Sequence, residues 1–400
     1  MKHIYIVGAK GFQYGGYESF LDRLTIQHQN ESTIKYHIAC KANGIGCTDE
    51  SKLDGVESLS ESDYMYHGAH CFKVKVPNIG NAQAIVYDIK SLEYVCKHIK
   101  DNNISEPIVY ILSSRIGFAY KRYADRIRSL GGVVYHNPDG LEFKREKYSC
   151  LVRRYWKWSE KLMVKSSDLE VCDSKNIEKY IRSEYKEYNP KTTYIAYGAD
   201  IKPSMISDND EIYTSWLKNK GLEGKEYYLS VGRFVPENNF ETMIREFMNS
   251  DTTKKFAIVT TDNEEFLRKL DDKLHFSSDD RIRFVGTVYD VELLKKIREN
   301  AFAYIHGHSV GGTNPSLLES LASTKLNLLY DIGFNQEVAE DAALYWSLED
   351  GNLAQLINRC DKMSEVEVDE KGFKAKKRIE TAYSWAFISS EYLKLFTKEL

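Results

Sequence analysis

Between Gly307 and Glu319 the chain reads GHSVGGTNPSLLE, placing His308, Ser309, Gly311, Gly312, Thr313 and Asn314 directly ahead of Pro315. Proline at a first helical position has no amide to lose and a preset φ, and Thr313 or Asn314 can cap the orphan amides behind it. The two glycines let backbone approach a ligand closely. A helix start with exposed amides and a positive dipole end suits an anion, most naturally a phosphate. Glu319, one turn inside, is spaced for a ligand hydroxyl. An ordinary βα turn is the other reading. A second glycine-rich place, Gly8, Gly11, Gly15 and Gly16, precedes Tyr17 and Glu18 in GAKGFQYGGYESF. Its spacing is not G-x-G-x-x-G, and no acidic residue stands about 20 positions on to hold a nicotinamide nucleotide's ribose. Anion binding or a plain turn remains. A third place is Arg233 in SVGRFVPENN, past an apolar run, where a guanidinium either clamps a diphosphate or pairs with Glu237.

Short β-branched runs set up these positions. Residues 4–8, 36–39, 72–76, 108–112, 133–135, 169–172 and 193–196 are expected strands of the first half; 227–231, 256–259, 282–285, 301–305 and 326–330 repeat the rhythm. Helical spacing fills the gaps, as in 17–27, 84–100, 240–248, 291–299 and 315–323. The alternation implies an α/β fold with parallel sheets covered on both faces. About twelve strands suit two Rossmann-like domains better than one sheet. The expected division is 1–200, 201–380 and a last helix, 381–400, crossing back to the first domain, with the seam inside 197–219 where periodicity fades.

Four hundred residues permit two full cores, and a net charge of −4 leaves no global footprint for nucleic acid. Seven scattered cysteines form no C-x-x-C or Cys/His grouping, which argues against zinc and against a disulfide framework. The N-terminus runs straight into a strand rather than a signal peptide, and no apolar run reaches the roughly 20 residues of a membrane span. A reduced, cytoplasmic protein is expected. Residues 141–165 hold eight Lys/Arg interleaved with Phe143, Tyr148, Tyr155, Trp156 and Trp158; Lys121, Arg122, Arg126 and Arg128 widen the basic patch. Such an element suits an anionic membrane surface, or is a solvated helix with core aromatics.

The combination G-R-F-V-P-E-N-N at 232–239 with N-P-S-L-L-E-S-L-A at 314–322 resembles the GT-B glycosyltransferases of the glycosyl transferases group 1 type. Y-G-G-Y-E-S-F at 14–20, N-P-D-G-L-E-F-K-R at 137–145 and the run from Val152 to Ile181 make it similar to bacterial rhamnosyltransferases of capsule and cell-wall polysaccharide assembly. The resemblance implies two Rossmann-like domains facing across a cleft, with the nucleotide-sugar mainly on the C-terminal one. It implies dTDP-rhamnose as donor, a polyprenyl-diphosphate-linked saccharide as acceptor, retention of configuration and hence a β-linked product. It puts the inner face of the plasma membrane as the place of work.

Carried over by motif, Arg233 is the diphosphate-binding arginine, Glu319 the ribose-binding carboxylate, and Gly15 with Gly16 the N-domain loop that closes on the diphosphate. His308, Ser309, Gly311, Gly312, Thr313 and Asn314 complete the expected donor set. Tyr17, Glu18, Asp139, Glu142, Lys144 and Arg145 form the expected acceptor side, and Arg233, Asp139 and His136 the catalytic candidates. Two family positions differ: Asn238 stands where a lysine is common, and Gly311 where a first glutamate is common. No D-x-D stands where a metal would be needed, so no cofactor or metal is expected. Another hexosyltransferase, a sugar-nucleotide epimerase of the same fold, or a non-catalytic nucleotide-sugar-binding partner are the alternatives.

Overall fold

The computed structural model describes residues 1–12, 16–44, 46–261 and 263–398. The chain forms two compact units, 1–198 with 385–400, and 199–384.

Unit 1 holds a nine-stranded sheet: β1 (Lys2–Val7), β2 (Ile34–Lys41), β3 (Glu57–Ser58), β4 (Asp63–Tyr66), β5 (Ala69–Val74), β6 (Ile108–Leu112), β7 (Val133–Asn137), β8 (Leu169–Cys172) and β9 (Thr192–Tyr194). The order is β3-β4-β5-β2-β1-β6-β7-β8-β9. The expectation of purely parallel sheets is corrected at one edge, where β4 runs antiparallel to both β5 and β3. A tight turn through His67 and Gly68, both at positive φ, joins β4 to β5; a hairpin needs no crossover helix. Helices α1 (Gly16–His28), α2 (Gln83–Asp101), α3 (Gly117–Ser129), α4 (Cys150–Ser166) and α5 (Lys175–Glu184) follow the parallel strands. Central strands such as β6 are buried along their whole length, which is why they read as continuous apolar runs.

Unit 2 holds α6 (Glu211–Lys220), β10 (Tyr227–Val231), α7 (Phe240–Met248), β11 (Lys255–Val259), α8 (Glu264–Leu274), β12 (Ile282–Phe284), α9 (Val291–Glu299), β13 (Ala303–His306) and α10 (Pro315–Ser323). After these come β14 (Asn327–Tyr330), α11 (Gly333–Ala339), β15 (Leu344–Trp346), α12 (Asn352–Cys360) and α13 (Glu365–Ala382). Its sheet is wholly parallel, in the order β12-β11-β10-β13-β14-β15. The chain reverses direction across this sheet between β10 and β13, and across the first between β1 and β6. In open α/β sheets such a reversal opens a crevice at the strands' carboxyl ends, where ligands bind.

The last helix, α14, spans Trp385–Thr397, shorter than the sequence suggests; Tyr383 caps α13 instead of lying on it. Phe20 of α1 packs on Tyr392, ring centroids 5.2 Å apart, and Tyr36 of β2 on Phe396 at 6.1 Å. His28 donates through Nε2 to the Ser389 carbonyl at 3.0 Å, and its Nδ1 meets the Tyr36 hydroxyl at 2.8 Å. These contacts make α14 part of unit 1.

Candidate functional site

At the reversal of unit 2, the loop after β10 carries Arg233 and the loop after β13 carries residues 307–314. The Arg233 side chain is exposed and makes no hydrogen bond or ion pair among the described residues; Glu237 is buried instead. Asn238 joins the two loops: its amide nitrogen donates to the Arg233 carbonyl at 2.7 Å, and its oxygen meets His308 Nδ1 at 2.8 Å. The Ser309 amide and hydroxyl both donate to the Glu237 carbonyl, and Asn239 donates to the Gly307 carbonyl. A Cβ on Gly307 would lie 2.3 Å from the Asn238 carbonyl oxygen, so only glycine lets the loops approach this closely.

Asn314 is the cap of α10. Its side-chain oxygen accepts from the Ser316 and Leu317 amides at 2.9 and 3.4 Å. Of the two expected caps, Asn314 is the one that acts, and its side chain already occupies two of the amides at this helix start. The amides of Val310, Gly311 and Gly312, just before it, make no hydrogen bond among the described residues, and Gly311 sits at φ +140°. Thr313 is buried beside them. Among the described residues, the unpaired amides of this loop are those of Val310–Gly312 rather than those of the first helical turn. Glu319 is half-exposed and anchored by Arg298 of α9 at 2.7 Å. Arg298 itself is only 4% exposed, so a buried cation orients the carboxylate and leaves its outer edge available. Tyr304 and Ser316 hydroxyls both bond the Val231 carbonyl, fixing the end of β10 against α10. His306 is buried and burial pushes its imidazole down to about 3, a neutral packing residue next to His308.

In unit 1 a second polar group gathers at the ends of β6, β7 and β8. Ser113, Asp139 and Leu141 all take positive φ, 72°, 62° and 54°. For Leu141 this is a costly conformation. The turn is held by the Asp139 amide donating to Asn137 Oδ1 and the Gly140 amide to Asp139 Oδ1, both at 2.8 Å. Tyr17 faces this turn: burial first, then the Asp139 carboxylate, raises its hydroxyl well above the ordinary value. That hydroxyl has no hydrogen-bond partner among the described residues. Gly16 opens α1 with open space at its Cα, and Gly15 lies outside the described residues. Glu18 accepts from the Lys10 amide at 3.0 Å and so shapes the first glycine loop.

His136 is fully buried, bonded through Nδ1 to Glu170 at 2.8 Å and through Nε2 to Ser114 at 3.3 Å. It supports the 137–141 turn from beneath instead of facing a ligand. Glu142 pairs with Arg145 and accepts from the Tyr148 hydroxyl. Burial, then the nearby Asp139 charge, raises its carboxyl. These partners occupy both Glu142 and Arg145; Lys144 is exposed. The sequence reading missed Arg115, which bridges the buried Asp88 at 2.9 Å and the Gly8 carbonyl, locking the first glycine loop to β6. It sits one residue beyond a Ser-Ser pair at a strand end, the kind of position that marked Arg233.

On the outer side of unit 1, Phe118, Leu151, Val152 and Trp158 of α3 and α4 are exposed, with Lys121, Arg122, Arg126 and Arg154 exposed on the same two helices. Lys157 and Lys161 are spent on Glu184 and Glu187. No helix among the described residues is long and apolar enough to cross a membrane.

Residues 1–200 match a family described only as a domain of unknown function, DUF1972, and residues 214–385 match the glycosyl transferases group 1 family. The chain belongs to the DUF1972 family. Its second unit is similar to the group 1 glycosyl transferases. No curated protein matches the DUF1972 chain. Among solved structures it is similar to a sucrose-phosphate synthase from Thermosynechococcus elongatus, with 15% identity, TM-score 0.77, and 99% and 98% of the two chains covered. Anabaena HepE in complex with UDP gives 12% identity and TM-score 0.71 over 99% and 100%. An E. coli structure described as trehalose-6-phosphate bound with UDP-2-fluoro glucose gives 9% identity and TM-score 0.73, with full coverage of both. At these identities the likeness establishes the fold, a two-domain α/β arrangement of the GT-B kind.

Proposed function

We propose that this glycosyltransferase moves L-rhamnose from dTDP-rhamnose to a saccharide on a polyprenyl diphosphate, in the assembly of a cell-surface polysaccharide. The observation that carries the reading is the exposed Arg233 guanidinium, unengaged among the described residues, on a loop that Asn238 ties to the loop of the Val310–Gly312 amides at the strand reversal of unit 2. As the sugar–phosphate bond breaks, positive character grows on the sugar ring and negative charge on the departing β-phosphate oxygen. Preorganised donors aimed at that oxygen lower the barrier, since they need no reorganisation as charge develops. Arg233 with the loop amides fills that role without a metal, and Glu319 holds a ribose hydroxyl. The UDP and UDP-2-fluoro glucose of the structural neighbours support a nucleotide-sugar donor. In the retaining route, the leaving phosphate oxygen accepts the acceptor's proton; Asp139 and Tyr17 orient the acceptor. The apolar and basic residues of α3 and α4 support contact with the anionic inner face of the plasma membrane.

The test is a donor screen, dTDP-rhamnose against UDP- and GDP-sugars, with a short-lipid glucosyl diphosphate acceptor. Turnover is expected only with dTDP-rhamnose, and Arg233→Ala is expected to lower kcat about 10²–10³-fold with an unchanged far-UV spectrum. Wild-type turnover in that variant would remove Arg233 from the donor site; turnover with a UDP-hexose alone would replace the sugar.

A further inference from the structure

Away from both strand-reversal sites, four histidines widely spaced in the chain meet between the sheet of unit 1 and α2. His3 lies on β1, His37 on β2, His70 on β5 and His98 on α2. His37 is buried and the other three are half-buried. One ring nitrogen from each of His37, His70 and His98 lies within 4.8 Å of the other two. The other nitrogen of each ring is already engaged. Asp63 Oδ1 meets His70 Nε2 at 3.1 Å, His3 Nδ1 meets His37 Nε2 at 2.8 Å, and the Tyr5 hydroxyl meets His98 Nδ1 at 2.8 Å. Tyr94 in turn donates to Asp63.

We infer that His37, His70 and His98 bind a zinc ion through Nδ1, Nδ1 and Nε2. Ligating histidines nearly always give their second nitrogen to a carboxylate, carbonyl or hydroxyl that fixes tautomer and ring orientation. Here the Asp63 carboxylate, the Tyr5 hydroxyl and, for His37, the His3 ring play that part, and all three rings can hold the required tautomer together. His70 Nε2–H donates to Asp63, His37 Nε2–H to His3, and His98 Nδ1–H to Tyr5. The two Nδ1 atoms of His37 and His70 are 2.9 Å apart. Tetrahedral ligands at zinc–nitrogen distances of about 2.0–2.1 Å are about 3.3 Å apart, so this pair opens by a few tenths of an ångström and His98, whose nitrogen lies within 4.8 Å of both, adjusts its side chain to complete the set. Three imidazoles with no thiolate suit zinc among the common divalent metals, and a water takes the fourth position. The ion ties β2 and β5 to α2, and its role is in holding the sheet, outside the transfer chemistry.

The test is to titrate the metal-stripped full chain with Zn2+ and, for the spectrum, Co2+. Binding of about one equivalent, a raised thermal midpoint and the intense visible bands of tetrahedral cobalt are expected. His70→Gln with His98→Gln should abolish all three, and Asp63→Asn should weaken binding about 10–100-fold, as loss of an outer partner does. The wild-type titration stands without the variants. No binding and no thermal shift at a large excess of Zn2+ would overturn the inference, as would undiminished affinity in the double variant.

Discussion

Asn238 shows how one side chain changes what a loop can do. At the position where the resemblance to group 1 glycosyltransferases implies a second cation, this chain carries an amide that ties the Arg233 carbonyl to His308. The loss of charge is matched by a gain in rigidity, which holds Arg233 and the Gly311 loop in one register. Asn238→Ala should therefore raise the donor KM several-fold with a smaller change in kcat, and cost about 1 kcal/mol through the loss of its two hydrogen bonds; steady-state kinetics and urea unfolding separate the two. His306 gives a second residue-level expectation. Its folded value of about 3 lies below the ordinary 6.5, so the unfolded chain takes up the proton first as pH falls. Stability is complete above about pH 6.5 and is lost between 6.5 and 3, by up to about 1.4 kcal/mol per pH unit. The urea midpoint should fall more in wild type than in His306→Phe as the pH goes from 7.5 to 6 and 5. Residue type and spacing pointed to Arg233, Glu319 and the 311–314 loop because each is a local signal. Asn238 as a tie, Arg115, and the histidine group were hidden because their partners are brought in from tens of residues away. Nothing in a sequence scan places His3, His37, His70 and His98 together.

At the scale of elements, agreement between reading and structure follows how local the determinants are. Residues 227–231, 240–248, 291–299 and 315–323 are read to the residue, because apolar periodicity, the proline at 315 and flanking polar residues set their ends. The strands β3, β4 and β15 escaped: they are short, and β3 and β4 form a partly polar edge whose pairing comes from a hairpin. The final helix is the element on which the first unit's α1 face depends. Phe396 is fully buried against Tyr36 and Tyr110, so Phe396→Ala should cost about 3–5 kcal/mol. The loss should appear in denaturant unfolding as a change in unit 1 signals ahead of those from Trp346 in unit 2. Coincident, wild-type transitions would show that α14 contributes little.

For the molecule as a whole, charge and apolar exposure are unevenly spread. A chain of net charge −4 still presents an aromatic and basic face on α3 and α4. Co-sedimentation with phosphatidylglycerol vesicles should exceed that with phosphatidylcholine, fall as salt screens the lysines and arginines, and drop several-fold in Trp158→Glu. Equal partition to both lipids would leave α3 and α4 as an ordinary solvated surface.

Unit 1 is discontinuous in the chain: its sheet is complete by residue 194, yet α14 follows the whole of 199–384. At about 5–20 residues per second, a ribosome spends about 10–40 s making the intervening unit. Through that interval the nascent sheet keeps Phe20, Tyr36 and Tyr110 without their cover, a stage at which a chaperone has something to hold. The second lobe can finish before the first, and birth order is the reverse of reading order.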